Sequence, residues 1–186
     1  GTAYTNSIIL NDKVLVPIFN ASSDSAALQT YRDAMPGYEV IGFTGSWYDD
    51  DAIHCRAMGV PDLGMLSILH VPLSTTGDTL NDYLVSATIH AYSDSALISD
   101  SLKIYYEDKA STWKSAPLYA SAVPDSFYGY LPARKAGATV TYYLQAADES
   151  GRVETHPYIG EPGAHSFYIN HGPVITSPSY VETETD

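Results

Sequence analysis

Cysteine is almost absent from this chain of 186 residues, since Cys55 is the only one. A single thiol excludes an intramolecular disulfide and says little about the redox compartment. No apolar run approaches the roughly 20 residues that a membrane-spanning helix needs, so no membrane span is expected. Lysine and arginine number only 9 against 22 acidic residues. Because nucleic acid is bound by basic patches, no nucleic-acid partner is expected.

Tyrosine, in contrast, is abundant, and its 16 copies favour strands over helices. The formal net charge of -13 is spread along the chain. Such a charge can attract a cationic substrate, although most acidic proteins are simply soluble. The length suits one large domain or two small ones. The sequence begins almost directly in a strand-like run, without a signal-peptide pattern, so we expect it to be a piece of a longer protein.

Residues 1–68 have apolar patterns of both strands and a helix, as expected of an α+β unit. Apolar runs at 7–10 and 14–18, separated by a short polar segment, predict a hairpin whose strands are covered on both faces. N-cap candidates precede a helix that is predicted over 22–35 and ends before a Pro-Gly pair. A third strand is predicted at 38–43. The order is strand, strand, helix, strand.

From residue 69 onward, apolar and polar residues alternate with period two. About seven short strands are predicted, at 68–73, 83–92, 102–107, 113–118, 127–131, 140–146 and 167–169. This pattern is typical of an immunoglobulin-like β-sandwich, here without a disulfide between its sheets. Residues 171–186 are rich in proline and threonine and predict a linker or flexible tail.

Two interpretations of Cys55 stay open on residue chemistry alone. A lone cysteine among apolar residues is most often a small core side chain. His54 would not naturally activate it, because neighbours in an extended segment point to opposite faces. The run Asp49-Asp50-Asp51 lacks EF-hand spacing and favours a solvated turn. No metal-ligand spacing links the other histidines, so no cofactor is predicted; they are His70, His90, His156, His165 and His171.

Several motifs occur in a set order and spacing: "YTNSIILNDKVLVPIF", then "MPGYEVIGF", a tryptophan, and "DAIHCRAMGVPD". Together they closely resemble the C-terminal end of the catalytic domain of Porphyromonas-type peptidylarginine deiminases, part of the agmatine deiminase superfamily. The later run "TYYLQAADESGRVETHPYIGEPGAHSFYI" resembles the immunoglobulin-like domain appended to such secreted enzymes. The resemblance covers about residues 2–170.

The resemblance implies a fold and a location. Catalytic domains of this family are α/β-propellers, or penteins, built from five ββαβ units around a channel. Residues 1–68 would be the last such unit and residues 69–170 the immunoglobulin-like sandwich, an α+β chain overall. A secreted or cell-surface location in a bacterium is implied by the resemblance alone.

The resemblance also implies a chemistry. In the family, a cysteine thiolate attacks the central carbon of a guanidinium group, ammonia leaves, and water resolves the covalent intermediate to a ureido product. Matched motif by motif, Cys55 falls on the nucleophile and Asn6 on an asparagine that lines the substrate pocket. The guanidinium-binding carboxylates and the acid–base histidine lie in earlier propeller units. The chain alone is therefore expected to be inactive, with peptidyl-arginine, free arginine and agmatine all open as substrates.

Partners and rival functions follow from the same features. A lone propeller unit would expose several hundred Å² of apolar surface, so we expect it to dock on the sandwich, pair with a second copy, or sit beside the missing N-terminal part. One rival is an adhesion or interaction module with a structural Cys55. Its binding surface would carry the outward-facing tyrosines Tyr92, Tyr105, Tyr128 and Tyr143. A cysteine peptidase is a third possibility, but no local motif signals a histidine partner.

Overall fold

The computed structural model describes residues 3–45, 53, 57–109 and 112–171. Within these ranges the protein is mostly β, with one α-helix of 11 residues. No helix there is long and apolar enough to cross a membrane. The predicted tail lies outside the described ranges, apart from its first residue.

The N-terminal elements follow the predicted order of strand, strand, helix, strand. They are β1 (Ile8–Leu10), β2 (Lys13–Ile18), α1 (Asp24–Ala34) and β3 (Glu39–Thr44). β1 and β2 form an antiparallel hairpin, while β3 pairs with β2 in parallel. The chain can return in parallel because α1 carries it back across the sheet between β2 and β3, as a crossover connection requires.

The start of α1 is set by Asp24 rather than by a serine cap. Ser23 occupies the N-cap position but makes no side-chain capping hydrogen bond. Instead, the Asp24 carboxylate accepts hydrogen bonds from the backbone N–H groups of Phe19 (3.2 Å) and Ala21 (3.0 Å). These bonds tie the loop before the helix to its first turn, where a negative charge also suits the helix dipole.

Burial in this N-terminal unit is one-sided. Val14 and Val16 of β2 are fully buried, whereas Ile9 and Leu10 of β1 are 56% and 55% exposed. No residue of α1 is buried. The prediction that both hairpin strands are covered on both faces is therefore wrong for β1 within the described chain. β1 is an edge strand of a three-stranded sheet, and its apolar side chains face outward.

The rest of the described chain forms two antiparallel sheets packed face to face. One has the strand order β4-β5-β9-β8, where the strands are β4 (Leu66–His70), β5 (Tyr83–Ala91), β8 (Tyr119–Ala120) and β9 (Ser126–Leu131). The other is built from β6 (Lys103–Lys109), β7 (Thr112–Pro117), β10 (Thr139–Ala147), β11 (Val153–His156) and β12 (His165–Tyr168). Both β11 and β12 pair with β10, along consecutive stretches of one edge.

One hydrophobic core fills the space between these sheets. Alternate residues of β5 point into it, so that Val85 and Ile89 are fully buried while Leu84 is 52% exposed. The same alternation holds in β10, where Val140, Tyr142 and Leu144 are buried. Burial thus follows the period-two pattern from which the strands were predicted. β8 was missed because two residues are too few to show a period, and β11 because Val153 is its only apolar residue.

The N-terminal unit touches the sandwich through the turn after α1. Gly37, at φ +90°, lies against the loop between β11 and β12. A Cβ built on it would lie 2.5 Å from Pro162 Cβ and 3.6 Å from Ile159 Cβ. Farther along, the Arg152 guanidinium donates to the Asp62 carboxylate at 3.0 Å. Docking on the sandwich was one of the three ways in which the apolar surface of residues 1–68 was predicted to be covered.

Gly37 offers a direct test of that contact. Gly37→Ala should lower the free energy of unfolding by about 1–3 kcal/mol, because a side chain meets Pro162 and the left-handed φ is strained. Chemical denaturation of both proteins measures the difference. Gly151→Ala is the matched control, since its φ of +88° is also left-handed and a Cβ there meets nothing within 4 Å. Equal stability of the two variants would show that the turn does not touch the loop.

Candidate functional site

Asn6, the predicted pocket residue, lies in a turn beside Ile53. Its backbone N–H donates to the Ala3 carbonyl at 3.0 Å, which closes the turn. Its own carbonyl accepts a hydrogen bond from the Ile53 N–H at 3.1 Å. Asn6 is half-buried and Ile53 is buried. The segment before β1 is thus joined through the main chain to a residue 47 positions later.

Two tyrosines hold the flanks of Asn6 against α1. The Tyr31 hydroxyl donates to the Tyr4 carbonyl at 2.9 Å, so it accepts from the Ser7 hydroxyl, also at 2.9 Å. The Tyr4 hydroxyl in turn donates to the Asp24 carboxylate at 2.8 Å. Residues on both sides of Asn6 are therefore tied to the helix. The position of Asn6 therefore depends on α1.

The predicted nucleophile, Cys55, lies outside the described residues, as do His54 and Asp49–Asp51. The described residue that precedes it most closely is Ile53, two positions earlier in sequence. Of the two predicted site residues, the structure therefore describes Asn6 alone.

A groove of about 350 Å³ opens beside the turn, along one side of α1. Its lining is Tyr4, Thr5, Ala27, Thr30, Tyr31, Ala34 and Met35. The lining carries no charged group, so this groove by itself offers no partner for a guanidinium ion. It is a largely apolar groove on the surface of α1.

The structure gathers three histidines that sequence spacing did not connect. His70, His156 and His165 lie on β4, β11 and β12, with ring centroids 5.0 to 5.8 Å apart. No spacing signal could have found them, because only the packing of the two sheets brings these strands together. His90 lies apart, with its Nδ1 2.8 Å from the Asp125 carboxylate. Among the described residues, no group of three His, Cys, Asp or Glu side chains is arranged to hold a metal ion.

The N-terminal segment that carries Asn6 and the turn is similar to an enzyme family. The model of the Porphyromonas-type peptidyl-arginine deiminase family matches residues 1–61. This confirms the resemblance over that segment, which contains β1, β2, α1 and β3. At the level of the family, residues 1–61 are similar to deiminases.

Proposed function

We propose that residues 1–61 supply the nucleophile and one wall of the active site of a guanidino-group hydrolase, with Cys55 and Asn6 in those roles. The single observation that carries this proposal is the hydrogen bond from the Ile53 N–H to the Asn6 carbonyl. It brings the motif containing Asn6 next to the segment that leads into Cys55. This proximity of Asn6 to Ile53, two positions before Cys55 in the sequence, supports placing the two motifs in one site.

The proposed reaction has two balanced steps. The Cys55 thiolate forms a bond to the central guanidinium carbon, and the carbon–nitrogen bond to the departing amine breaks after that nitrogen takes a proton, releasing ammonia. Water then adds to the same carbon, and the carbon–sulfur bond breaks to give the ureido product and free thiolate. Both proton movements need an acid–base group within hydrogen-bonding reach.

We further propose that the acid–base histidine and the guanidinium-binding carboxylates come from polypeptide outside this chain. Asp24, a carboxylate close to the turn, is already bound to the Tyr4 hydroxyl and the Ala21 N–H. The described histidines are on β4, β5, β11 and β12 or follow β12, all outside residues 1–61. Residues 1–68 would then be the last ββαβ unit of a propeller, and the apolar groove on α1 a surface that the preceding unit covers.

The remaining parts of the proposal concern the second domain, the cellular location, the partner and the substrate. Residues 69–170 would be an immunoglobulin-like domain of a secreted or cell-surface bacterial enzyme. The partner of residues 1–68 is the missing N-terminal part of the catalytic domain, with a second copy of the chain as the alternative. The substrate is a cationic guanidino compound, whose approach the net charge of -13 favours.

The proposal predicts that the intact parent protein releases ammonia and a ureido product, while this chain alone does not. Arginine-containing peptides, free arginine and agmatine are each assayed for citrulline-type product and for ammonia. Activity of the isolated chain would overturn the proposed division of the site. Inactivity of the parent on all three substrates would overturn the enzyme assignment and favour an interaction module with a structural Cys55.

A further inference from the structure

The three histidines form a histidine cluster, His70, His156 and His165, at one edge of the sandwich. His70 ends β4, whereas His156 ends β11 and His165 begins β12. The ring centroids of His70 lie 5.8 Å from His156 and 5.6 Å from His165, and those two are 5.0 Å apart. All three are half-buried. The cluster therefore bridges one sheet to the other.

Hydrogen bonding fixes which nitrogen of His70 carries the proton when the ring is neutral. Its Nδ1 lies 2.7 Å from the Ser86 carbonyl, which only accepts, so Nδ1 carries the proton. The Tyr142 hydroxyl is 2.8 Å from Nε2 and also accepts a bond from the Leu73 N–H at 2.9 Å. In the neutral ring, Nε2 accepts the Tyr142 proton. A second proton on His70 would put a donor where Tyr142 now donates.

The other two histidines share one hydrogen bond. His156 Nδ1 lies 2.9 Å from His165 Nε2, so one nitrogen donates and the other accepts. The pair in this geometry therefore has room for one extra proton at most. Full protonation of both rings would bring two donors and two positive charges face to face.

No carboxylate compensates for positive charge in the histidine cluster within the described residues. Burial is the largest cause that lowers the pKa of all three rings, and it lowers that of His165 to about 4, with repulsion from the other two rings. β10 contributes Tyr142, and β5 contributes only a backbone carbonyl. Glu154 on β11 accepts a bond from the Thr155 N–H, and burial raises its pKa. The charge of Glu161, in the loop after β11, adds instead to the rise in the pKa of Tyr143, of which burial is the largest cause.

The position of the cluster links it to the N-terminal unit. His156 and His165 stand at the two ends of the 157–164 loop, and this loop carries the Pro162 ring that Gly37 packs against. The bond between the two histidines closes the base of the loop. The two histidines therefore flank the loop that carries part of the surface on which the N-terminal unit rests.

We propose that the histidine cluster is a proton-sensitive latch, which holds the 157–164 loop against the N-terminal unit when neutral and releases it when protonated. The inference is independent of the catalytic proposal, since it depends only on residues of the sandwich and the Gly37 contact. The direction follows from linkage. A histidine whose folded pKa is depressed binds its proton mainly in the open state, so stability is full above the unfolded value of about 6.5 and falls as pH drops toward the folded value.

Two measurements on the whole chain test the latch. Between pH 7.5 and 5.0, Tm should fall by about 5–10 °C, because the histidines bind protons in the unfolded chain that they do not bind in the folded cluster. Hydrogen exchange, corrected for its intrinsic pH dependence, should accelerate in residues 157–164 and around Gly37 well before it does in β5. A fall in Tm without this local acceleration would overturn the latch and leave only a general effect on stability.

Matched variants assign the effect to the cluster. His156→Asn and His165→Gln together keep hydrogen-bonding groups at the Nδ1 and Nε2 positions but cannot titrate, so they should remove at least about half of the fall in Tm. His90→Gln removes a histidine outside the cluster and should leave the fall in Tm unchanged. Glu154→Gln controls for Glu154, whose pKa is raised by burial and whose effect on stability therefore has the opposite pH dependence. An undiminished fall in the double variant would overturn the proposal. Should the double variant not fold, proton NMR of the wild type decides, because cluster rings that titrate at about 6.5 would contradict it.

Discussion

Cys55→Ser in the intact parent protein should lower kcat/KM for guanidino substrates by at least about 10³-fold, because a serine hydroxyl has no ionised form comparable to a thiolate near neutral pH. Serine is nearly the same size as cysteine, so folding should change little. Release of the ureido product under saturating and limiting substrate gives kcat and KM separately. A variant with full activity would remove Cys55 from the mechanism.

The same assay separates the role of the Asn6 side chain from that of the Asn6 backbone. Because Asn6 binds Ile53 through its backbone carbonyl, Asn6→Ala leaves that hydrogen bond in place and removes only the side-chain amide. We expect kcat/KM to fall by about 10- to 100-fold, the loss of one or two polar contacts to substrate. His90→Gln, in the sandwich, should leave activity unchanged. An Asn6→Ala variant that matches this control would exclude Asn6 from the pocket.

Thiol reactivity gives a second readout that does not need a known substrate. A haloacetamidine combines a guanidinium-like cation with an alkylating carbon, so a complete site should direct it to Cys55 faster than a neutral haloacetamide. Equal rates for the two reagents in the parent protein would support the interaction module instead. The Cys55→Ser variant controls for modification elsewhere.

Leu144→Ala should lower the free energy of unfolding by about 2–5 kcal/mol, the range for a fully buried leucine that leaves a cavity. Leu144 is fully buried in the middle of β10, opposite Ile104 on β6, and its side chain belongs to the core between the two sheets. The residues around it are held by strand pairing on both sides of β10, so collapse of the cavity would need the sheet itself to move. Urea denaturation followed by circular dichroism measures the loss.

Leu84→Ala is the matched control for that substitution. Leu84 lies on β5 with its side chain 52% exposed, and its loss should change the free energy of unfolding by about 0.5 kcal/mol or less. The two variants delete the same atoms from strands of the same sandwich. Similar losses would show that the alternation of burial along β5 and β10 is not as described.

Prediction from the sequence succeeded where a pattern was long enough to repeat. Nine residues of β5 show four inward positions, and nine residues of β10 show the same alternation. The order of elements in residues 8–44 was also predicted, because polar segments and a Pro-Gly pair mark each boundary. The family resemblance over residues 1–61 was predicted from motifs whose order and spacing are themselves sequence properties.

Other features of the fold could not be predicted from local sequence patterns. The exposed faces of Ile9 and Leu10 contradict the expectation from their apolar run, since apolarity shows only that a strand prefers cover and not that this chain supplies it. Ser22, Ser23 and Asp24 were all N-cap candidates, and only the structure shows that Asp24 makes the bonds to the preceding loop. β11 was too short and too polar to be recognised.

The sequence by itself determined the helix and all strands except β8 and β11, because backbone preference and side-chain alternation act between near neighbours. It also contained the motifs through which residues 1–61 resemble the Porphyromonas-type peptidyl-arginine deiminase family. Only the tertiary structure decided that His70, separated by 86 and 95 positions from its partners, meets His156 and His165. Contacts across two sheets depend on register and packing, which sum many weak interactions over the whole chain, and no short stretch of sequence contains them.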